Sequence, residues 1–428
     1  MLGISRHTAV TGLSLFGLVL LSVLAYWRSV GLPLISDDYL VIGLSRDLGP
    51  MERWGALLSD ALYRNRATSM VITWWVYQWF GLEPFPYNFV TLGLHVLNTW
   101  LILAFGFFPR IGWWRAAAAA AFFAVYEGHQ EAVIWFSALP ELLVFSFGLV
   151  ALWCWMRWLM GGGRRWGWMV GAGGAYALAL FSKESAVAML PVFGLAWWVE
   201  REKLAVGRAL GAMVPLTLMT MAYAAMVFLG KQQNQHFHDG TFSLAAPFWV
   251  TIGNSVGRMM WFWGGVSAAL LLWLRPKEAR GWLAVGMLWM VMTLVPYSFV
   301  TYQARVPSRH TYLPSAGLAL VVGGAMWAVQ ARSRRAALGL ACLMVLHNCA
   351  YLSFYKHKQY VKRARPTEEL IELGHRATGP IYLKSWPYSR SIAEYTLELG
   401  AGKPREWLLF EATQEGEAAH VYSWDGDI

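Results

Sequence analysis

Residues 10–39 read VTGLSLFGLVLLSVLAYWRSVGLPLISDDY. The run Val10–Tyr26 carries no charge and is close to the length that spans a bilayer as a helix. No small-residue cleavage site follows it, and further apolar runs do, so it reads as a retained first helix rather than a removed signal. Two adjacent carboxylates, Asp37 and Asp38, come just after it.

The rest of the chain repeats the apolar theme. Of 428 residues, 57% are hydrophobic and only 14% are charged, where a soluble domain would be roughly a quarter charged. The 26 tryptophans suit membrane interfaces. Further apolar runs cover Tyr87–Phe108, Ala116–Tyr126, Leu139–Trp158, Trp168–Phe181, Ala186–Trp198 and Ala209–Leu229. Others cover Phe248–Leu274, Trp282–Val300, Tyr312–Val329 and Ala336–Tyr355. With the first, they predict an all-α polytopic membrane protein of about eleven transmembrane helices. Ser69–Phe80 is apolar but short, and reads as a helix lying in the outer interface.

Charge orients these spans. Arg6, Arg110 and Arg115, Arg157, Arg164 and Arg165, then Arg201, Lys203 and Arg208 fall in alternate short loops, followed by Arg275, Lys277 and Arg280, then Arg332, Arg334 and Arg335. Short basic loops face the cytoplasm. The formal charge of +10 therefore reports orientation rather than nucleic-acid binding. The N-terminus is expected in the cytoplasm of a multi-pass plasma (inner) membrane protein. Outer loop 1 (28–68) and the tail from residue 356 are expected outside. The tail carries both signs of charge and mixed periodicity, which divides the chain into a transmembrane domain, 1–355, and a small extracytoplasmic α/β domain, 356–428. In it, Pro366–Arg376 and Tyr388–Leu399 read as helices. Pro380–Trp386, Glu406–Ala412 and Ala419–Trp424 read as strands. The three cysteines lie in apolar runs without metal-ligand spacing.

Candidate chemistry gathers on the outer side. Ionisable groups near lipid are costly and usually functional. Proximity to lipid and to each other would raise the pKa of one of Asp37 and Asp38, which suits a general base that takes a proton from an acceptor hydroxyl. Adjacent aspartates also occur as helix caps and in turns. A second cluster holds Glu127, His129 and Glu131, with the two glutamates on one face if helical. It could bind a divalent cation (Mg2+ or Mn2+) together with Asp38, help hold the acceptor, or simply cap two helices, because its spacing is not a specific metal motif. Lys183, Arg66, Arg258, Arg305 and Arg309 form a cationic set suited to a lipid phosphate, and Arg64 lies nearby in sequence. Lys183 and Glu184 could equally neutralise each other, and each arginine could serve a lipid headgroup. His236 and His238 lie in a polar outer loop.

Five segments, in order, bring one family to mind. They are Asp37-Asp38, then Tyr87 to Asn98 with His95, then His129-x-Glu131-x-Val133-x-Trp135 with Ser182-Lys183-Glu184-Ser185, and finally Arg309-His310-Thr311-Tyr312-Leu313-Pro314-Ser315-x-Gly317. The set resembles the GT-C membrane glycosyltransferases, closest to the protein O-mannosyltransferase-like branch. The resemblance covers roughly Val10 to Val329. It implies transfer of a sugar from a polyprenyl-phosphate donor to a protein, glycan or lipid hydroxyl, with inversion. It gives Asp37 or Asp38 the part of base, and Lys183 and Arg309 contact with the donor phosphate. Glu184 and Tyr312 fall within the same motifs and are assigned, with the second acidic cluster, to acceptor binding. The chain departs from the family at Tyr126-Glu127 and Leu139, and lacks tetratricopeptide repeats. The alternatives are a transporter or flippase, or an O-antigen-type polymerase or ligase.

Overall fold

The computed structural model describes residues 6–49, 61–230 and 241–426. His236 and His238, and part of outer loop 1, lie outside the described residues. The chain is largely helical. Six helices, within Ala9–Gly31, Pro84–Phe107, Phe136–Met160, Val206–Leu229, Ala279–Tyr297 and Arg334–Arg376, are long and apolar enough to cross a membrane. Trp113–Val125, Glu184–Val199 and Trp263–Leu274 are apolar but shorter.

In chain order the helices begin α1 Arg6–Tyr26, α2 Asp37–Leu48, α3 Ala61–Phe80, α4 Pro84–Ala104, α5 Trp113–Val125 and the short α6 Gln130–Ile134. They continue with α7 Leu139–Met160, α8 Trp166–Leu180, α9 Met189–Val199, α10 Val206–Leu229, α11 Phe248–Met260 and α12 Trp263–Leu274. Next come α13 Ala279–Leu294, α14 Ser315–Arg332, α15 Arg334–Ala350 and α16 His357–Arg376. At the centre, α14 packs on α5, α12 and α13, while α4 bridges α5 and α7. A close crossing is made by two glycines. A Cβ on Gly286 of α13 would lie 2.6 Å from the Gly317 carbonyl oxygen of α14. Small residues at such crossings let helix backbones approach in lipid, where packing must replace the hydrophobic drive.

Three expectations are corrected. Phe248–Leu274 is not one helix: it breaks at Trp261 and Phe262, where Phe262 has φ +61°. Its 27 residues exceed what one crossing requires. The helix containing Ser69–Phe80 starts earlier, at Ala61, so Arg64 and Arg66 lie inside it rather than before it. The tail helix begins at His357 rather than Pro366, and follows α15 through a turn of π geometry at Tyr351–Lys356. Its polar sequence hides a buried stripe of Tyr360, Ala364, Thr367, Leu370 and Gly374, at spacings of three and four.

Beyond α16 lies a parallel three-stranded sheet of order β2–β1–β3, with β1 Ile381–Ser385, β2 Leu408–Leu409 and β3 His420–Ser423. α17, Arg390–Tyr395, continues as a π turn over Thr396–Gly400. The expected strand at Glu406–Ala412 shrinks to two residues, because the Glu411–Gln414 capping box starts a helical turn there. Leu370, Ile381, Leu383, Leu397, Leu408 and Tyr422 form the core of this part.

The tail docks on α2. Arg46 pairs with Glu398 at 2.8 Å and Arg405 with Asp47 at 3.0 Å, and the Tyr395 hydroxyl donates to Asp47 at 2.9 Å. The Tyr395 ring lies over Gly43, where a Cβ would come within 1.9 Å of it.

Candidate active site

The loop between α1 and α2 is held by distant groups. Asn88 donates to the Leu32 carbonyl at 2.9 Å, and the Trp135 indole N–H donates to the Ile35 carbonyl at 3.2 Å. Ser36 adopts φ +40°, a left-handed conformation costly for a residue with a Cβ. That bend starts α2 at Asp37.

The two aspartates differ. Asp38 is 2% exposed and accepts three hydrogen bonds: from the Ile35 N–H at 2.8 Å, the Ser137 N–H at 2.8 Å and the Ser137 hydroxyl at 2.6 Å. Burial pushes its pKa up to about 7 against those donors. Asp37 is half-buried and accepts no side-chain hydrogen bond among the described residues. Burial raises its pKa, while the positive charges of Arg309 and Arg363 pull it down.

Beside Asp37 stands a guanidinium cluster on one carboxylate. Glu131 on α6 accepts from the Arg309 guanidinium at 2.5 Å, the Arg309 N–H at 3.1 Å and the Ser308 hydroxyl at 3.0 Å. Arg363 of α16 approaches the same oxygen at 3.9 Å. Both guanidiniums stack on Trp135, at 5.2 and 5.0 Å from its ring centre. Burial alone would raise the Glu131 pKa, but Arg309 and Arg363 outweigh it and hold the carboxyl below its usual value. Four residues earlier, Glu127 pairs with Arg258 at 3.0 Å. Arg258 and the exposed Arg305 line a cavity of about 610 Å3 with Asn254, Gly257, Trp261 and Gln303.

The other expected cations are already paired. Lys183 does not pair with Glu184; it bonds the buried Glu141. Glu141 also accepts from the Tyr297 hydroxyl at 2.5 Å and from His310 Nδ1 at 2.6 Å. Burial and the nearby Lys183 depress His310 to about 4, so the neutral ring donates its Nδ1–H. Glu184 instead takes Arg66, at 2.6 Å. His129 and Tyr312, expected near the acceptor, are 0% exposed. His129 Nε2 bonds the Ser315 hydroxyl at 2.6 Å, and the Tyr312 hydroxyl meets His95 Nδ1 at 2.8 Å.

Asp38, Glu127, His129 and Glu131 each take protein partners in this structure. Among the described residues no three His, Cys, Asp or Glu side chains gather as metal ligands. The carboxylates face arginines or N–H and O–H donors. Glu127 and Glu131, expected on one face, separate because Glu127–His129 is a tight 3-10 turn before α6.

Sequence reasoning missed Glu141, His310, Tyr297, Ser137 and Arg363. Glu141 had a signal, being a carboxylate inside an apolar run. Arg363 had none, since it meets Glu131 only when the tail folds back.

No family model matches this chain, and no curated protein matches it. Among solved structures it is similar to ArnT from Cupriavidus metallidurans bound to undecaprenyl phosphate, at 14% identity and TM-score 0.52, covering 96% of this chain and 90% of ArnT. It is also similar to the oligosaccharyltransferase AglB from Archaeoglobus fulgidus in complex with an inhibitory peptide and a dolichol-phosphate, at 13% identity and TM-score 0.55. That match covers 94% of this chain and 64% of AglB, so the chain spans just under two thirds of that enzyme. The Archaeoglobus fulgidus oligosaccharyltransferase complex with Zn and sulfate matches at 12% identity and TM-score 0.50, covering 94% of this chain and 62% of that one. The chain therefore has the fold of the GT-C membrane glycosyltransferases that its ordered motifs resemble.

Proposed function

We propose that this protein transfers a sugar from a polyprenyl-phosphate donor to an acceptor hydroxyl at the outer face of the plasma membrane, with Asp37 as general base. The observation that carries this reading is the contrast within the aspartate pair. Asp38 spends its oxygens on Ile35 and Ser137, and thereby fixes the loop. Asp37, next to the strained Ser36, accepts no side-chain hydrogen bond among the described residues and feels the positive charge of Arg309.

In the reaction, the acceptor oxygen forms a bond to the anomeric carbon as its proton passes to Asp37. The bond from that carbon to the phosphate oxygen breaks on the opposite face, so the configuration inverts. The departing lipid phosphate gains one negative charge, and Arg309 lies beside the base to receive it. Arg258 and Arg305, with the cavity they line, extend positive potential from Glu127 toward solvent. Lys183 and Arg66 are held by Glu141 and Glu184, so their part is to shape the wall of the site. ArnT was solved with undecaprenyl phosphate and AglB with a dolichol-phosphate, which supports a lipid-linked donor here. Residues 1–355 form the membrane domain in this reading, and residues 356–428 an outer module.

The test is complementation. A strain lacking the gene receives wild type, Asp37→Asn or Asp38→Asn, and its cell-envelope glycans and glycoproteins are profiled by mass spectrometry. The wild type restores a modification that Asp37→Asn does not. An unchanged profile with Asp37→Asn, at normal protein level, removes the base assignment.

A further inference from the structure

Two guanidiniums from different elements, 54 residues apart in the sequence, meet on one indole. Arg309 precedes α14, and Arg363 belongs to α16, beyond the last apolar run. Arg309 makes the short contact to Glu131, whereas Arg363 stands at 3.9 Å with 34% of its side chain exposed. One carboxylate therefore serves two cations, and Arg363, which also meets the Tyr360 side chain, has donors to spare for a further anion. Two cations beside one carboxylate repel each other, and among the described residues Glu131 is the acid paired with both of them.

The backbone around Arg363 is fixed. The Tyr388 hydroxyl donates to the Arg363 carbonyl at 2.5 Å. The Arg46–Glu398 and Arg405–Asp47 pairs hold the tail on α2, whose first residue is Asp37. The docked tail thus brings a cation near enough to Asp37 for their charges to interact. During transfer, a negative charge leaves Asp37 with its protonation and appears on the phosphate. Two forked guanidiniums on a flat ring suit that anion better than a single one.

We propose that Arg363 is a ligand of the donor phosphate, so that the C-terminal segment completes the active centre instead of merely accompanying it. This rests on the lipid-phosphate reading above, and adds the residue and the segment that grip the leaving group.

The test measures binding of undecaprenyl phosphate and of undecaprenol, the same lipid without phosphate, to the purified full chain in nanodiscs. Wild type should prefer the phosphate. Arg363→Ala should weaken phosphate binding by about tenfold or more, as expected for a lost charge-assisted hydrogen bond, and leave undecaprenol binding unchanged. Arg363→Lys should recover part of the loss. Gly43→Val, which pushes Tyr395 away and undocks the tail, should match Arg363→Ala although Arg309 is intact. Wild-type affinity in Arg363→Ala, or equal weakening for both lipids, overturns the proposal while the donor reading stands. A wild type that does not discriminate between the lipids overturns both.

Discussion

Asp37 and Asp38 are one peptide bond apart and do opposite work, and two substitutions should separate them. Asp37→Asn removes a base and no hydrogen bond, so transfer should fall by roughly 10²–10⁴ with unchanged thermal stability. Asp38→Asn must turn an NH2 toward the N–H of Ile35 or of Ser137, and no rotamer satisfies both. It should lose roughly 1–3 kcal/mol, seen as an earlier thermal transition, the penalty for a buried donor without an acceptor. pH separates them again. The base must be ionised and its pKa is raised, so activity should fall on acidification at a pH above the ordinary carboxylate range. Asp38 is raised as well, to about 7, so the folded state holds its proton more tightly than the unfolded chain. The folded state's preference for protonated Asp38 is full below the unfolded pKa near 4 and is lost as pH rises toward 7, so wild-type stability should fall over that window by an amount that Asp38→Asn, with no group to titrate there, does not show. The acidic pair itself was legible, because carboxylates beside an apolar run need a reason. Which of them holds the loop was not, because the deciding donor, Ser137, lies 99 residues away.

At the scale of elements, apolar runs reported helices well, because a chain in lipid must satisfy its backbone within each segment. Polar residues inside those helices were harder to place, since their partners come from other helices. Glu141 in α7 shows the difficulty. It receives Lys183, Tyr297 and His310 at once, and so ties the α8–α9 junction to the segment before α14. Glu141→Gln leaves Lys183 buried without a counter-charge and should cost about 3–5 kcal/mol, read as a shortened half-life of the folded protein in detergent at fixed temperature. Adding Lys183→Met to that variant should restore most of the half-life, because the stranded charge is then gone. If the double variant is as unstable as the single one, the ion pair is not what holds this junction.

For the whole molecule, the contact of the tail with α2 limits the topology without any count of spans. Asp47 of α2 meets Arg405 of the tail, so both lie on one side of the membrane, and the chain between them must cross an even number of times. Adding α1 makes the total odd, in keeping with eleven crossings and equally with nine. The short basic loops supply the expectation for which side that is. Arg164 and Arg165 belong to the short basic set, which the positive-inside rule assigns to the cytoplasm. The tail has 10 basic and 11 acidic residues counted from Tyr355 and carries no such bias. Single cysteines test this directly, once Cys154, Cys342 and Cys349 are replaced by serine. Glu415→Cys on the exposed tail should react with a membrane-impermeant thiol reagent in spheroplasts, and Arg164→Cys should react only after lysis. The reverse pattern would put Asp37 in the cytoplasm, where a donor presented at the outer face could not meet it, and the proposed reaction would fail with the topology.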